Sequence, residues 1–113
     1  MRDDGLRRLS AADLQQLLET TAGAPPLLVD VREPHEFSGG HLAGSLSIPL
    51  GTLPQRLAEI AARGGDPVFI CRSGGRSLAA CQLALSAGIP SPANLEGGLM
   101  GWAAQIDPSL RVV

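Results

Sequence analysis

The segment from Cys71 to Ser77 holds the residues of this sequence that are best suited to chemistry. It reads Cys-Arg-Ser-Gly-Gly-Arg-Ser, so two glycines and two arginines closely follow a thiol. Neighbouring arginines or the N-terminus of a helix lower a cysteine pKa from about 8.5 to roughly 3.5–7.5, and the resulting thiolate is a strong nucleophile. Paired glycines can adopt conformations in which successive backbone amides converge on one anion. The segment therefore predicts a nucleophilic cysteine beside an anion-binding loop.

Hydrophobic patterns place Cys71 between a strand and a helix. The run from Val68 to Cys71 is short and apolar, which predicts a buried strand. The stretch from Ser77 to Ala87 has helical spacing and is followed by Gly88 and Pro90, which predicts a helix. Cys71 would then lie at the carboxyl end of a strand and face the positive end of the helix dipole, where a thiolate is favoured.

The rest of the chain alternates helices with short apolar strands. Helices are predicted over residues 10–20, 53–63 and 98–105, the first two beginning with capping boxes at Ser10–Asp13 and Thr52–Gln55, and a helical turn is predicted at 34–37. Strands are predicted at 27–31, 45–48 and 93–95. Because strands separated by helices pair in parallel, the sequence predicts an α/β fold in which helices cover both faces of the sheet. Ligands of such sheets bind beyond the carboxyl ends of the strands.

Length and composition limit the function classes. The chain has 113 residues, 44% of them hydrophobic and 18% charged, which predicts a single domain over residues 1–113 with residues 1–9 as a flexible N-terminal extension. The net charge is −2 and aromatic residues make up 3%, so we expect neither nucleic acid nor a membrane surface as a partner. The sequence contains no lysine, which excludes Schiff-base chemistry. No apolar run approaches the ~20 residues of a membrane helix, and no secretory leader is visible, so we expect a cytoplasmic location.

The second cysteine and the two histidines favour structural interpretations. Cys81 falls on the apolar face of the predicted helix, which favours core packing over a role as a resolving thiol for oxidised Cys71. His41 could form a dyad with the cysteine, but a thiolate held by a helix terminus needs no base. His35 lies in a predicted surface turn, and the spacings of cysteines and histidines match no zinc pattern, so no metal is expected.

Asp30 and Arg32 flank Val31 at the end of a predicted strand. Asp30 could accept hydrogen bonds from loop amides, and Arg32 could pair with Glu33 or Glu36. We therefore favour structural pairing that holds the loops in place over acid–base chemistry for both residues.

Three parts of the chain resemble the rhodanese domain, in the order in which that family carries them. The loop from Cys71 to Ser77 is similar to the active-site loop of single-domain rhodaneses. The other matching stretches cover most of the chain after residue 9: Leu28–Phe37 with Gly40–Ser45, and Asn94–Gly98 with Trp102. The resemblance implies a compact rhodanese-like α/β fold with a five-stranded, mostly parallel sheet and helices on both faces.

The resemblance also implies a sulfurtransferase of the thiosulfate type, which carries sulfur as a persulfide and needs no cofactor. Cys71 would attack a small anionic donor such as thiosulfate and release sulfite. Cyanide or a thiol would then accept the sulfur. The rest of the loop would bind the substrate, namely Arg72, Ser73, Gly74, Gly75, Arg76 and Ser77. Asp30 and Arg32, which lie outside the loop, would support it.

Two alternatives stay open. The first is a sulfur carrier or protein-recognition module that acts with a partner protein. Such a module would need the same loop, and a fold shared by many functions does not distinguish it from a free enzyme. Cysteine phosphatases and arsenate reductases related in fold use the pattern Cys-x5-Arg to enclose a larger anion. Here the arginine is Arg76 and the next residue is Ser77, so the loop is one residue too short for that pattern. This is the minor alternative.

Overall fold

Five short strands and five helices form the part of the chain that the computed structural model describes, residues 4–20 and 25–113. The strands are β1 (Arg7–Leu9), β2 (Leu28–Asp30), β3 (Leu46–Ser47), β4 (Val68–Ile70) and β5 (Ala93–Leu95). The helices are α1 (Ala11–Thr20), α2 (Pro34–Gly39), α3 (Leu53–Arg63), α4 (Gly75–Ser86) and α5 (Gly98–Gln105), with a 3-10 turn at Leu50–Thr52 before α3. None of the helices in these two ranges is long and apolar enough to cross a membrane.

All five strands pair in parallel, in the order β1-β5-β4-β2-β3. The central strand is β4, whose Val68 is paired with Leu28 on one side and with Ala93 on the other. The five-stranded, mostly parallel sheet that the family resemblance implies is therefore confirmed. Because the strands run in one direction, the residues that follow β2, β4 and β5 meet at the same edge of the sheet.

The sheet separates two hydrophobic cores. Successive strand residues point to opposite faces, so β2 and β4 contribute side chains to both cores. One core contains Val29 and Phe69 together with side chains of α3 and α4, namely Leu53, Ile60, Ala80, Cys81 and Ala84. The other contains Leu28, Val68 and Ile70 together with side chains of α1 and α5, namely Ala11, Leu14, Leu99 and Trp102. Helices thus cover both faces, as predicted, and burying each large apolar side chain contributes roughly 1.5–3 kcal/mol.

The N-terminal segment differs from its prediction. Residues 7–9, predicted to belong to a flexible extension, form β1 and pair with β5. The guanidinium of Arg7 also donates from Nε to the carbonyl oxygen of Ser91 at 2.9 Å. β1 supplies the backbone of β5 with a partner on that side. Because β1 is an edge strand, it tolerates charged residues, and these residues hid the strand pattern in the sequence. Residues 1–3, the rest of the predicted extension, lie outside the described residues.

The two predicted capping boxes have different outcomes. In α1 the box is present, since Asp13 accepts a hydrogen bond from the Ser10 amide and the Ser10 hydroxyl accepts one from the Asp13 amide, both at 3.0 Å. In α3 the prediction is wrong, because the Thr52 hydroxyl donates to the Pro49 carbonyl at 3.0 Å. The 3-10 turn before α3 places that carbonyl within reach of the hydroxyl.

Candidate active site

Cys71 directly follows β4 and is 1% exposed. Its Sγ accepts a hydrogen bond from the Gly74 amide at 3.0 Å and lies 3.3 Å from the Ser77 Oγ. Gly74 has a φ of 111°, a conformation that favours glycine, and it caps α4. The helix begins at Gly75, two residues earlier than the predicted Ser77. The predicted placement of a cysteine between a strand and a helix N-terminus is therefore confirmed.

Burial and hydrogen bonding act in opposite directions on the pKa of Cys71. Burial raises the pKa, because a buried thiolate loses its water. Hydrogen bonds from the Ser77 side chain and from the amides of Ser77, Gly74 and Ser73 outweigh burial and hold the pKa of Cys71 below its ordinary value. Burial raises the pKa of Cys81 to about 12. The two free thiols therefore differ, with Cys71 suited to nucleophilic chemistry and Cys81 to packing.

The N-terminus of α5 holds the loop from the opposite side. The Leu99 amide donates to the Cys71 carbonyl at 2.9 Å, and the Met100 amide donates to the Arg72 carbonyl at 3.0 Å. Gly98 has a φ of 59°, and a Cβ built there would lie 2.4 Å from the Arg72 oxygen. Glycine is therefore required at this close approach. Sequence reasoning placed Gly98 at the start of a predicted helix and in the family resemblance but not in the site, although two adjacent glycines before a helix were a visible signal.

A network of polar side chains connects the loop to β5. Asn94 is 2% exposed, and its Oδ1 accepts a hydrogen bond from the Ser77 hydroxyl. Its Nδ2 donates to the Gly74 carbonyl at 3.3 Å and to a carboxylate oxygen of Glu96. The neighbours of Asn94 in β5 face the core of α1 and α5, so the alternation of the strand directs Asn94 toward α4. Sequence reasoning missed this site residue, and a polar residue inside a buried strand was the available signal.

The two arginines of the loop have different surroundings. Arg76 forms a two-bond ion pair with Glu36 of α2, with Nη1–Oε1 and Nη2–Oε2 distances of 2.8 and 3.0 Å. The bonds from Arg76 outweigh the effect of burial and lower the pKa of Glu36 to about 2. Arg72 is exposed and has no ion pair within the described ranges. Arg72 is therefore the freer of the two to meet an incoming anion.

Asp30 and Arg32 form a buried ion pair with each other. The Arg32 Nη2 lies 2.9 Å from the Asp30 Oδ2, and both side chains are at most 1% exposed. The prediction that Arg32 pairs with Glu33 or Glu36 is wrong. Arg32 binds Asp30 instead, and Glu36 is bound to Arg76 and to the Glu33 amide. Arg32 Nη2 also donates to the Gly40 carbonyl at 2.7 Å. This pairing holds the turn after α2 in place.

The histidines lie outside this network. The Nδ1 of His41 is 2.8 Å from the Phe37 carbonyl oxygen, and its ring stacks on the Phe37 ring with 3.7 Å between centroids. The predicted structural role of His41 agrees with these contacts, and His35 is an exposed residue of α2. Among residues 4–20 and 25–113, no group of three or more histidine, cysteine and acidic side chains is placed to hold a metal ion.

Comparisons with known proteins match most of the chain. The family model described as a rhodanese-like domain matches residues 10–105. A sulfurtransferase of Allochromatium vinosum is 36% identical over 98 residues, covering 87% of this chain and 89% of that protein. An uncharacterized protein of Synechocystis is 44% identical over 99 residues, covering 87% of this chain and 52% of its own length. The solved structure of a thiosulfate sulfurtransferase from Pseudomonas aeruginosa has a TM-score of 0.79 and 30% identity, covering 95% of this chain and 20% of that one.

Proposed function

This chain belongs to the rhodanese-like domain family, and on that premise we propose that it is a sulfurtransferase that carries a sulfane sulfur as a persulfide on Cys71. The observation that carries the proposal is the convergence of the Gly74 amide and the Ser77 hydroxyl on the Cys71 sulfur. These groups favour a thiolate in a buried position, where a thiolate alone would be unstable. The names of the sulfurtransferases that the chain resembles support the same class of reaction.

In the first step the Cys71 thiolate attacks the outer sulfur of thiosulfate. A sulfur–sulfur bond forms to Cys71, the bond between the two thiosulfate sulfurs breaks, and sulfite leaves with the electron pair. The products are a persulfide anion and sulfite, so three negative charges are present before and after the step. Amides that already point at the sulfur can stabilise the persulfide without reorganising water. Thiosulfate is proposed because it is small, anionic and already carries sulfane sulfur.

In the second step a cyanide ion or a thiolate attacks the outer persulfide sulfur. The bond to the Cys71 sulfur breaks, thiocyanate or a new persulfide leaves, and the Cys71 thiolate is restored. Both steps use the sulfur chemistry of the cysteine alone, so the cycle needs neither a cofactor nor a metal ion.

Within the loop, some residues would bind the transferred sulfur and others would attract the anionic donor. Ser77 would contact the transferred sulfur, and the amides from Ser73 onward would surround it. Arg72 would attract the anionic donor, because its side chain is exposed. Arg76 would add a permanent charge, and the bond to Glu36 would hold that charge in one position. The substrate-binding set is thus Arg72, Ser73, Gly74, Gly75, Arg76 and Ser77.

Asp30 and Arg32 would support the site indirectly. Their ion pair holds the turn that follows α2, through the bond from Arg32 to the Gly40 carbonyl. The same helix carries Glu36, which binds Arg76 of the loop. We therefore propose a positioning role for this pair rather than contact with the sulfur donor.

A module that receives or delivers sulfur through a partner protein is the alternative. Met100, 44% exposed, lies on α5 directly beside the loop, since its amide binds the Arg72 carbonyl. An exposed apolar side chain next to a reactive cysteine suits contact with a protein. A phosphatase is not proposed, because Ser77 occupies the position of the phosphatase arginine and contacts the Cys71 sulfur.

Intact-mass measurement tests the proposal. Wild-type protein incubated with thiosulfate should gain one sulfur atom and lose it on addition of cyanide. Cys71→Ala should gain none, whereas the matched control Cys81→Ala should gain the sulfur, because Cys81 is buried in the core of α3 and α4. Sulfur gained by Cys71→Ala would contradict the assignment. No gain from thiosulfate, but a gain from a protein persulfide, would favour the partner-dependent alternative.

A further inference from the structure

The Ser77 hydroxyl has one hydrogen and three acceptors within reach. Its Oγ bonds the Asn94 Oδ1 and lies 3.2 Å from the Gly74 carbonyl oxygen and 3.3 Å from the Cys71 Sγ. A hydroxyl donates only once, so these acceptors compete. The Gly74 carbonyl already accepts hydrogen bonds from the Leu78 amide and from the Asn94 side chain. The competition is therefore chiefly between Asn94 and Cys71.

The orientation of the Asn94 amide is set by its other partners. The Gly74 carbonyl and the Glu96 carboxylate both accept hydrogen bonds, so the NH2 group of Asn94 must face them. The Oδ1 then faces Ser77, which must act as the donor. Asn94 is almost fully buried, and an unpaired buried amide oxygen is costly.

We propose that Asn94 is a positioning residue that controls whether the Ser77 hydroxyl donates its hydrogen to the Cys71 sulfur. When Cys71 is a thiol, its own hydrogen faces the Ser77 oxygen and the Ser77 hydrogen binds Asn94. When Cys71 loses its proton to solvent, the Ser77 hydrogen rotates to the sulfur and the Asn94 oxygen loses its donor. Asn94 thus disfavours formation of the thiolate, because its buried oxygen must lose the hydrogen bond from Ser77 when the thiolate forms. The inference rests on the proposed function only in that Cys71 is the reacting residue.

Charged groups on four parts of the chain also lie around this region. Arg76 lies on α4 and interacts with Cys71, and Glu36 of α2 binds Arg76. Glu96 follows β5 and binds Asn94, and Arg72 lies in the loop itself. The test must therefore separate the effect of the Ser77 hydrogen from any change in this electrostatic field.

A double-mutant cycle makes that separation. Asn94→Val removes the competing oxygen while keeping a residue that suits a buried strand. We expect it to lower the pKa of Cys71 by about one unit, the size of one hydrogen bond to a charged group. In a Ser77→Ala background, Asn94→Val should leave the pKa of Cys71 unchanged, because the Ser77 hydroxyl hydrogen is already absent. Simple disruption of the loop would weaken the amide bonds to the sulfur and raise the pKa in both backgrounds.

The pKa is measured from the ultraviolet absorbance of the thiolate, with alkylation and mass analysis to identify the cysteine. The chain contains no tyrosine, so no tyrosinate band overlaps the signal. The Cys81 pKa of about 12 keeps that thiol protonated over the relevant range. The measurement needs no sulfur donor, so it can fail or succeed independently of sulfur transfer.

Glu96→Ala keeps the proposal testable if Asn94→Val does not fold. Glu96 is exposed, and its loss leaves only the 3.3 Å bond to the Gly74 carbonyl to hold the Asn94 NH2 group away from Ser77, so the amide turns more readily. The Cys71 pKa should again fall, and by more when Ser77 is present than in the Ser77→Ala background. A pKa that rises, or that shifts equally with and without the Ser77 hydroxyl, would overturn the proposal.

Discussion

Replacing Gly98 with alanine tests whether the Cys71 loop depends on close backbone contact with α5. At a φ of 59°, the added Cβ would lie 2.4 Å from the Arg72 oxygen and 2.6 Å from the Cys71 oxygen. Ordinary contacts of this kind begin at 3.4 Å. Both obstructing oxygens belong to the backbone of the Cys71 loop and cannot rotate away as a side chain could, so the loop itself must move by about 1 Å to restore normal contact.

The expected loss has two components. A non-glycine residue in the left-handed region costs roughly 1–2 kcal/mol. Moving the loop also breaks the hydrogen bonds from the Leu99 and Met100 amides, each contributing about 1 kcal/mol. We therefore expect Gly98→Ala to lower the free energy of unfolding by about 3–4 kcal/mol. Since a displacement of about 1 Å near the reacting atoms costs roughly 100-fold in rate, kcat/KM for sulfur transfer should fall by that factor.

Two neighbouring glycines provide matched controls. Gly97 has a φ of 79°, but the nearest atom to its built Cβ is 3.8 Å away, so Gly97→Ala should incur only the conformational cost. Gly101 lies inside α5 with no contact under 4.0 Å, and Gly101→Ala should stabilise the helix by about 1 kcal/mol. Urea unfolding followed by Trp102 fluorescence, with sulfite release as the activity assay, measures all three. A Gly98→Ala variant no less stable than Gly97→Ala, or with unchanged kcat/KM, would show that the loop does not depend on this close contact.

Two further predictions concern the charged groups around the loop. Because the pKa of Glu36 falls from 4.5 to about 2 on folding, its ion pair stabilises the protein fully above about pH 5 and ceases to do so as the pH falls toward 2. Wild type should lose about 2 kcal/mol relative to Glu36→Gln over that range, after allowance for the partial exposure of Arg76; a constant difference in urea unfolding would contradict this. Arg72→Gln should raise the KM for thiosulfate roughly 3- to 10-fold and weaken its salt dependence, whereas Arg56→Gln on α3 should not. Equal KM values in both variants would remove Arg72 from donor binding.

The features predicted from the sequence depend on neighbours along the chain. Apolar runs such as Val68–Ile70, helical spacing over Leu53–Arg63 and the capping box at Ser10 involve residues within a few positions of one another. The placement of Cys71 between a strand and a helix follows from the same local signals. Parallel pairing followed as well, because strands connected through helices have few other arrangements.

The contacts that connect the Cys71 loop to other segments join residues far apart in the sequence, so they depend on the tertiary structure. Glu36 binds Arg76 across 40 positions, and Ser77 binds Asn94 across 17. No local pattern shows which glutamate an arginine will reach, and Arg32 was accordingly given the wrong partners. The order β1-β5-β4-β2-β3 places β5 beside β4, which brings Asn94 and α5 against the Cys71 loop. The sequence therefore predicted a candidate nucleophile and the elements that carry it, whereas strand order and side-chain packing set which distant residues surround the sulfur, because those contacts form only when distant segments meet.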